Sequence, residues 1–513
     1  MPSLLRAAAA VTSVALLATA CSSTAGERSD QDTLRIVGPF EIHSFQPSAS
    51  SGLFTRLQVV ETLVASDLAG ELTPGLSPSW STSRDQRTWT FDLPTDVTFH
   101  DGTPVTPEAV AASLELAAAD EASPLAAAPI KKVRGADEAV QIELTSAHPA
   151  LPALLTHYSS AVHAPSAYDE KGTVTQVVGT GPYRVTRAEL PSSVETTRFA
   201  DWRGEAPTIA NVSFQSVPRA ESRALMATSG QADVVFGLEP AGRDRVEGTD
   251  GVGMVSSLQP RTLYLKVNGE HEALGDVRVR RALSLALDRE AIAHAVLRER
   301  DLAATQLFPP SLAAWHDPDL EPLTHDPERA RELLLRAGFT EASGGTLSRD
   351  GRPLRITLTS YPDRPELPAL ATAVQAAWRD IGVDLTVDVT NSSEIPARHQ
   401  DGTLDVGLLA RHLALVSDPL VTVADTFAPR GSDWGAMRWQ DQAVTEAVEQ
   451  LLVGDSEARE EELRSVISGT AQEELPVIPV AWYRMNAAVS EQVEGFVLDP
   501  LEHTWRLTEV SWR

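Results

Sequence analysis

Cysteine is all but missing from this chain: Cys21 is the single one in 513 residues. One thiol closes no intrachain disulfide and builds no thiolate metal cluster, so stability has to come from buried apolar cores. Lysine is scarce as well, confined to positions 131, 132, 171 and 266, and arginine supplies the remaining positive charge. Acidic residues outnumber basic ones by 71 to 43, a formal charge of −28, which excludes the basic face that a nucleic-acid partner requires. The same charge sets the folded body against anionic lipid. Past residue 20 no apolar run reaches bilayer-spanning length. Catalytic and metal signatures are missing too. There is no Gly-x-Ser-x-Gly elbow, no His-Glu-x-x-His and no Walker loop, and twelve histidines are scattered without ligand spacing. The expectation is a binding protein and not an enzyme, with no cofactor and no metal centre.

What is present begins at the N-terminus. Arg6, an apolar stretch over residues 7–18 and the small residues Thr19-Ala20 read as a short secretory signal ending before Cys21. Ala20-Cys21 followed by Ser22, Ser23, Thr24, Ala25 and Gly26 resembles a bacterial lipobox with a tether behind it, although Ala18 stands where leucine is most usual. That implies lipidation of Cys21, a flexible tether over 21–32, and a protein held on the extracytoplasmic face of the cell membrane by its acyl chains.

The folded body is too long for one ordinary core, so two or three domains are expected. Trp89, Phe91 and Leu93 alternate as in a half-buried strand, and Val97 and Phe99 suit a second. Asp101-Gly102 reads as a turn, and Thr106-Pro107-Glu108 as the cap and first turn of a helix over 109–116. Gly179-Thr180-Gly181-Pro182-Tyr183 is a tight turn into a strand, and no lysine or helix follows to make it a phosphate loop. In residues 276–292, Val279, Leu283 and Ala286 share a helix face and Asp276 and Asp288 can each cap. The arginines there read as a solvated face with local ion pairs. A strand over 354–359, a helix over 367–380 and a strand over 383–389 make a βαβ unit with parallel strands.

Taken in this order, the motifs resemble those of the extracytoplasmic solute-binding proteins of peptide- and nickel-type ABC importers, solute-binding protein family 5. The resemblance implies an α/β, two-lobed periplasmic-binding-protein-like fold with a hinge and an extra inserted subdomain. Lobe I would take residues 33–57, 178–268 and 477–513, the inserted subdomain 58–177 and lobe II 269–476. It further implies a monomer that captures a peptide-like or other small organic solute, or a metal chelate, between its lobes and delivers it to ABC permease subunits. An exported hydrolase, or a sensor or adhesion lipoprotein on the same fold, is the alternative.

In peptide binders of the family, an aromatic-led loop carries an aspartate that pairs with the ligand's α-ammonium. The matching segment here, residues 410–419, has His412 and Leu415 in those places. An apolar leucine cannot hold a desolvated ammonium, so a free peptide N-terminus is not the obvious ligand unless Asp418 or Asp425 takes over. Arg411, His412, Trp434 and Tyr158 are the candidate ligand contacts.

Overall fold

The computed structural model describes residues 33–513 apart from Ser51, Ser343, Gly344, Asp363, Pro365, Arg430 and Asp455. Cys21, its leader and the tether lie outside the described residues. Strand β1 (Thr33–Gly38) opens the fold. A separate sheet follows, built from β2 (Trp80–Thr82), β3 (Thr88–Asp92), β4 (Ile130–Ala136) and β5 (Ala139–Leu144) in the order β2-β3-β5-β4. Helix α1 (Pro107–Ala119) packs on it; the Thr106 hydroxyl accepts the Ala109 N–H at 3.2 Å and Pro107 fills the first helical position. Trp89, Phe91, Phe99, Val110 and Leu114 share one core there.

Val97 and Phe99 do not form the expected second strand. Residues 97–105 fold back on themselves through Val105 N–H to Val97 O and Phe99 N–H to Thr103 O, across a turn in which Gly102 has φ 82°. Their backbone groups are satisfied locally, and no third strand is needed. His100, next in sequence, reaches the glycine turn: its Nε2 lies 2.9 Å from the Gly181 carbonyl oxygen, and Nδ1 accepts the Gly179 N–H at 3.3 Å. A Cβ on Gly181 would stand 2.1 Å from the Gln58 carbonyl oxygen, so only glycine permits that approach. The two most distinctive sequence blocks are thus one structural joint.

The chain continues through β6 (Tyr183–Glu189), β7 (Ser193–Arg198), β8 (Asn211–Ser216), α2 (Ala220–Thr228), β9 (Val234–Phe236), α3 (Pro240–Glu247) and β10 (Val252–Val267). Beyond them come α4 (Val277–Leu285), α5 (Pro327–Arg336), β11 (Arg355–Ser360), α6 (Glu366–Asp380), β12 (Asp384–Val389), β13 (Val406–His412), α7 (Gln442–Val453), α8 (Glu457–Glu474) and β14 (Val477–Ser490). Ten strands make one sheet in the order β12-β11-β13-β10-β14-β9-β1-β8-β7-β6. The parallel βαβ unit is present as β11-α6-β12.

β10 and β14, with 16 and 14 residues, are far longer than an ordinary strand. They run antiparallel through both halves of the sheet, and their register slips between Gln259 and Thr262. On one side of the slip, β10 pairs with β13 around a core that includes Leu265, Leu283, Trp378 and Leu408. On the other side, β14 joins β9, and Leu34, Tyr183, Phe214 and Val489 form a second core. Two lobes joined by two continuous strands follow from this: each lobe closes its own core, and the irregular register is where they bend.

The arginines of residues 276–292 divide: Arg278, exposed and paired with Asp276 at 2.6 Å, and exposed Arg281 keep to the solvated-face expectation, and two others depart from it. Arg280 and Arg289 are buried and serve as clamps on backbone carbonyls: Arg280 on Leu274, Gly275 and Glu474, Arg289 on Ser284 and Pro479. A guanidinium has five donors, and helix ends leave carbonyls unpaired, so these side chains staple α4 to β14 and the end of α8.

Candidate functional site

β1 runs parallel to both β8 and β9, so the loops after these three strands leave the sheet on the same side. In open α/β sheets that edge is where ligands bind. Here it faces the other lobe across a cleft. Phe40, Arg56, Phe236 and Trp505 line the cleft from the first lobe, and Arg364 lines it from the second, with Arg261 and Tyr483 on the connecting strands.

Charge in the cleft is unevenly paired. Arg261 binds Glu502 at 2.8 Å, with only 6% and 14% of the two side chains exposed. Burial alone would raise the Glu502 carboxyl, but Arg261, with His412, Arg56 and Arg364 behind it, holds it down at about 2. Asp499 is occupied by backbone, accepting N–H groups of Leu501, His503 and Thr504 at 2.9, 2.9 and 3.1 Å. Glu41 sits at the rim, 3.1 Å from His43. Arg364 has no such direct partner: burial would lower its pKa, but Tyr483, Glu366 and Glu502 close by raise it. Its guanidinium makes no hydrogen bond or ion pair with any of the described residues, and rests 5.5 Å from the centroid of the Tyr483 ring. Arg261 lies 5.2 Å from the same centroid. Burial lowers the Arg261 pKa and Arg364 lowers it further, so two like charges are held together over one ring.

This main cleft holds only about 90 Å³. Past Gly237, Tyr483 and Met485, which border both spaces, it continues into a side chamber of about 350 Å³ between α3 of one lobe and residues 296–302 and α6 of the other. Glu239, Glu366, Ala369 and Asn486 line that chamber. Its wall includes an ion-pair bridge across the lobes: Arg243 donates to Glu299 at 2.5 Å, and Glu299 also meets Arg484 at 2.9 Å.

The four residues picked from sequence lie around the cleft without lining either space. Arg411 pairs with Asp425 at 2.8 Å. His412 is buried; its Nδ1 accepts the Ala414 N–H and its Nε2 donates to the Pro500 carbonyl, each at 3.2 Å. Burial, reinforced by Arg261, lowers its pKa to about 3, so the ring is neutral. Trp434 packs edge-on to Tyr361, with centroids 6.2 Å apart, and its carbonyl accepts the Tyr264 hydroxyl at 2.5 Å. Tyr158 packs tilted against His157, ring centroids 3.9 Å apart, and feels Arg56 and Glu502 electrostatically, which places it behind the first-lobe wall.

The loop after His412 is a strap between lobes. Val416, 2% exposed, inserts into the core of the small sheet and α1. The Leu415 carbonyl accepts from His503 Nε2 at 2.8 Å, and the Ser417 N–H donates to Thr156 at 3.3 Å. Asp418 caps Leu420 N–H at 2.9 Å, and Asp425 is held by Arg411, so each acid near Leu415 is engaged within its own lobe.

Arg261, Arg364, Tyr483 and Glu502 carry no sequence motif, because four distant segments supply them. One cue existed for Arg364: it follows the first strand of the βαβ unit, at the carboxyl end of a parallel strand. Among the described residues no helix is long and apolar enough to cross a membrane, and no group of three His, Cys, Asp or Glu could hold a metal.

Two α/β lobes, two connecting strands and a cleft at the carboxyl edge define a periplasmic-binding-protein-like protein. The family described as bacterial extracellular solute-binding proteins, family 5 Middle, matches residues 71–432, and the chain belongs to it. The nickel-binding periplasmic protein of Escherichia coli (strain K12) is 27% identical over 481 residues, 91% of each chain. The dipeptide-binding protein of the same organism is 25% identical over 84% of each. Among solved structures, NikA from Brucella suis in complex with Fe(III)-EDTA superposes with a TM-score of 0.83 at 24% identity, covering 94% of this chain and 100% of that one. AppA from Bacillus subtilis, an oligopeptide-binding protein with a bound nonapeptide, gives 0.79 at 18% identity, covering 94% and 99%.

Proposed function

We propose that this chain is the binding subunit of an ABC importer, and that it captures a small solute bearing an anionic group in the cleft and hands it to membrane permease subunits. The observation that carries the anion is Arg364, a guanidinium facing the cleft with no acceptor among the described residues. Enclosing such a group without a partner is costly, whereas a carboxylate or other oxyanion on it forms a charge-assisted pair. Dipeptides and glutathione, named as ligands of relatives, carry carboxylates.

An anion on Arg364 also approaches Arg56 of the opposite lobe, so the ligand favours the closed form over the open one by contacts that only closure completes. Arg411, His412, Trp434 and Tyr158 act in this scheme by shaping the walls and the strap. Acyl chains on Cys21, after removal of the leader, would hold the protein at the outer face of the membrane.

Thermal unfolding of the tether-free protein against metabolite pools separated by charge tests the reading. A ligand at a hundred times its Kd stabilises by about 2.7 kcal/mol. The expected hits are acidic, are recovered unchanged, and are lost in Arg364→Gln. Hits that are chemically converted, or that bind Arg364→Gln as well as the parent protein, would refute it.

A further inference from the structure

Two short segments exchange apolar side chains across the cleft. In the strap, Leu413 and Ala414 belong to the core of the second lobe, but Val416 is buried in the core of the small sheet and α1. In the C-terminal segment, Leu498 and Trp505 belong to the core of the first lobe, but Leu501 is buried in that of the second. Separating the lobes pulls both side chains into water, and that opposition to opening needs no ligand.

An imidazole from each segment closes the exchange. His412 Nε2 donates to the Pro500 carbonyl at 3.2 Å, and His503 Nε2 donates to the Leu415 carbonyl at 2.8 Å. The other two ring nitrogens differ. His503 Nδ1 faces the Ser66 hydroxyl at 3.0 Å, which can turn and accept when the ring is charged. His412 Nδ1 accepts the Ala414 N–H, which is fixed in the backbone, so a second proton on that ring would meet a donor. Around His412, Arg261 and His503 disfavour a cation, and Glu502 favours one but is held by Arg261. Arg411, beside it in the chain, is turned to Asp425.

We propose that the two segments form a reciprocal latch that holds the lobes closed without ligand, and that His412 is its acid-sensitive bolt. Burial, then Arg261, hold the ring at about 3 in the closed form, and freed by opening it returns to about 6.5. A depressed histidine favours the closed form fully above about pH 6.5. Between about 6.5 and 3 the open form binds the extra proton, and the closed-to-open ratio falls about tenfold per pH unit. The apparent affinity for a solute that needs closure falls with the closed fraction. That consequence rests on the binding-protein reading above; the latch itself does not.

Hydrogen exchange of the unliganded protein tests the bolt, read as protection of the Ser417 N–H, which donates to Thr156 across the lobes. From pH 8 to 5 that protection should drop about thirtyfold, while amides of β11 and β12, inside the second lobe, keep theirs. His412→Gln retains an N–H for Pro500 but cannot titrate, and should flatten the drop; His503→Gln should keep it. Val416→Asp should raise the radius of gyration in solution scattering at pH 8, and Leu501→Asp should do the same from the other lobe, with circular dichroism checking that each folds. A flat parent profile, an unchanged drop in His412→Gln, a drop lost in His503→Gln, or folded aspartate variants as compact as the parent would each overturn the latch. All of these leave the binding-protein reading in place.

Discussion

Lys266 offers a sharp test of the electrostatics. It sits on β10 with its side chain fully buried, and its Nζ donates to the carbonyl oxygens of Ser432 and Asp433 at 2.5 and 2.8 Å. Two carbonyls are what the two N–H groups of a neutral amine can serve. Burial pulls its pKa from 10.5 to about 7; Asp433 and Asp425 oppose the fall and Arg411 adds to it. That drop corresponds to ~5 kcal/mol in favour of the neutral form.

In the unfolded chain Lys266 stays protonated up to about 10.5. Between about pH 7 and 10.5 the unfolded state therefore binds the extra proton, and the Lys266 contribution raises stability with pH by up to ~1.4 kcal/mol per pH unit. Below pH 7 both states are charged, the burial penalty is present in full, and this contribution is flat. Lysine scarcity makes the assay clean. With lysines only at 131, 132, 171 and 266, a 13Cε-lysine spectrum has one crowded-free signal per residue, and Lys266→Met assigns the one that matters. Its midpoint should fall near 7, well below the 10.5 of an ordinary lysine. Unfolding of parent and variant across pH 7–10 should diverge by about 4 kcal/mol. A Lys266 midpoint near 10.5, or parallel stability profiles, would refute the reasoning.

Glu502→Gln strands a buried guanidinium on Arg261 and should cost about 3–5 kcal/mol, read as a lowered Tm. In the parent, the depressed Glu502 pKa gives stability that is present above about pH 4.5 and lost as pH falls toward 2, about 3 kcal/mol in all, so the variant's acid-unfolding profile should be flatter there. Arg243→Ala removes the bridge to Glu299 between lobes and should shift the unliganded protein toward an open form by ~1 kcal/mol, measured as a larger radius of gyration in solution scattering. Gly181→Ala pushes a methyl into the Gln58 carbonyl and should destabilise by roughly 3 kcal/mol, visible in thermal melting.

Much of the scaffold was legible because it is local. The Thr106 cap, the Asp276 and Asp288 caps and the βαβ unit each depend on residues a few positions apart or on one short run of elements, and the folded chain keeps them. Errors came where a local pattern met a distant partner. Val97 and Phe99 alternate like a strand but pair across their own turn, and Arg280 and Arg289 look solvated until α8 and β14 cover them.

The cleft could not be read this way, because side chains separated by a hundred residues or more converge only after β10 and β14 cross between lobes. By itself, then, the sequence determined the family and the two-lobed class, since motif order and hydrophobic period are properties of neighbouring residues. Only the tertiary structure decided which charges stay paired. Arg261 meets Glu502 across 241 positions, while Arg364 faces the same cleft without a hydrogen bond, close enough to Glu366 and Glu502 for both to raise its pKa. Pairing over such distances is a matter of packing and burial, and no spacing in the chain encodes it.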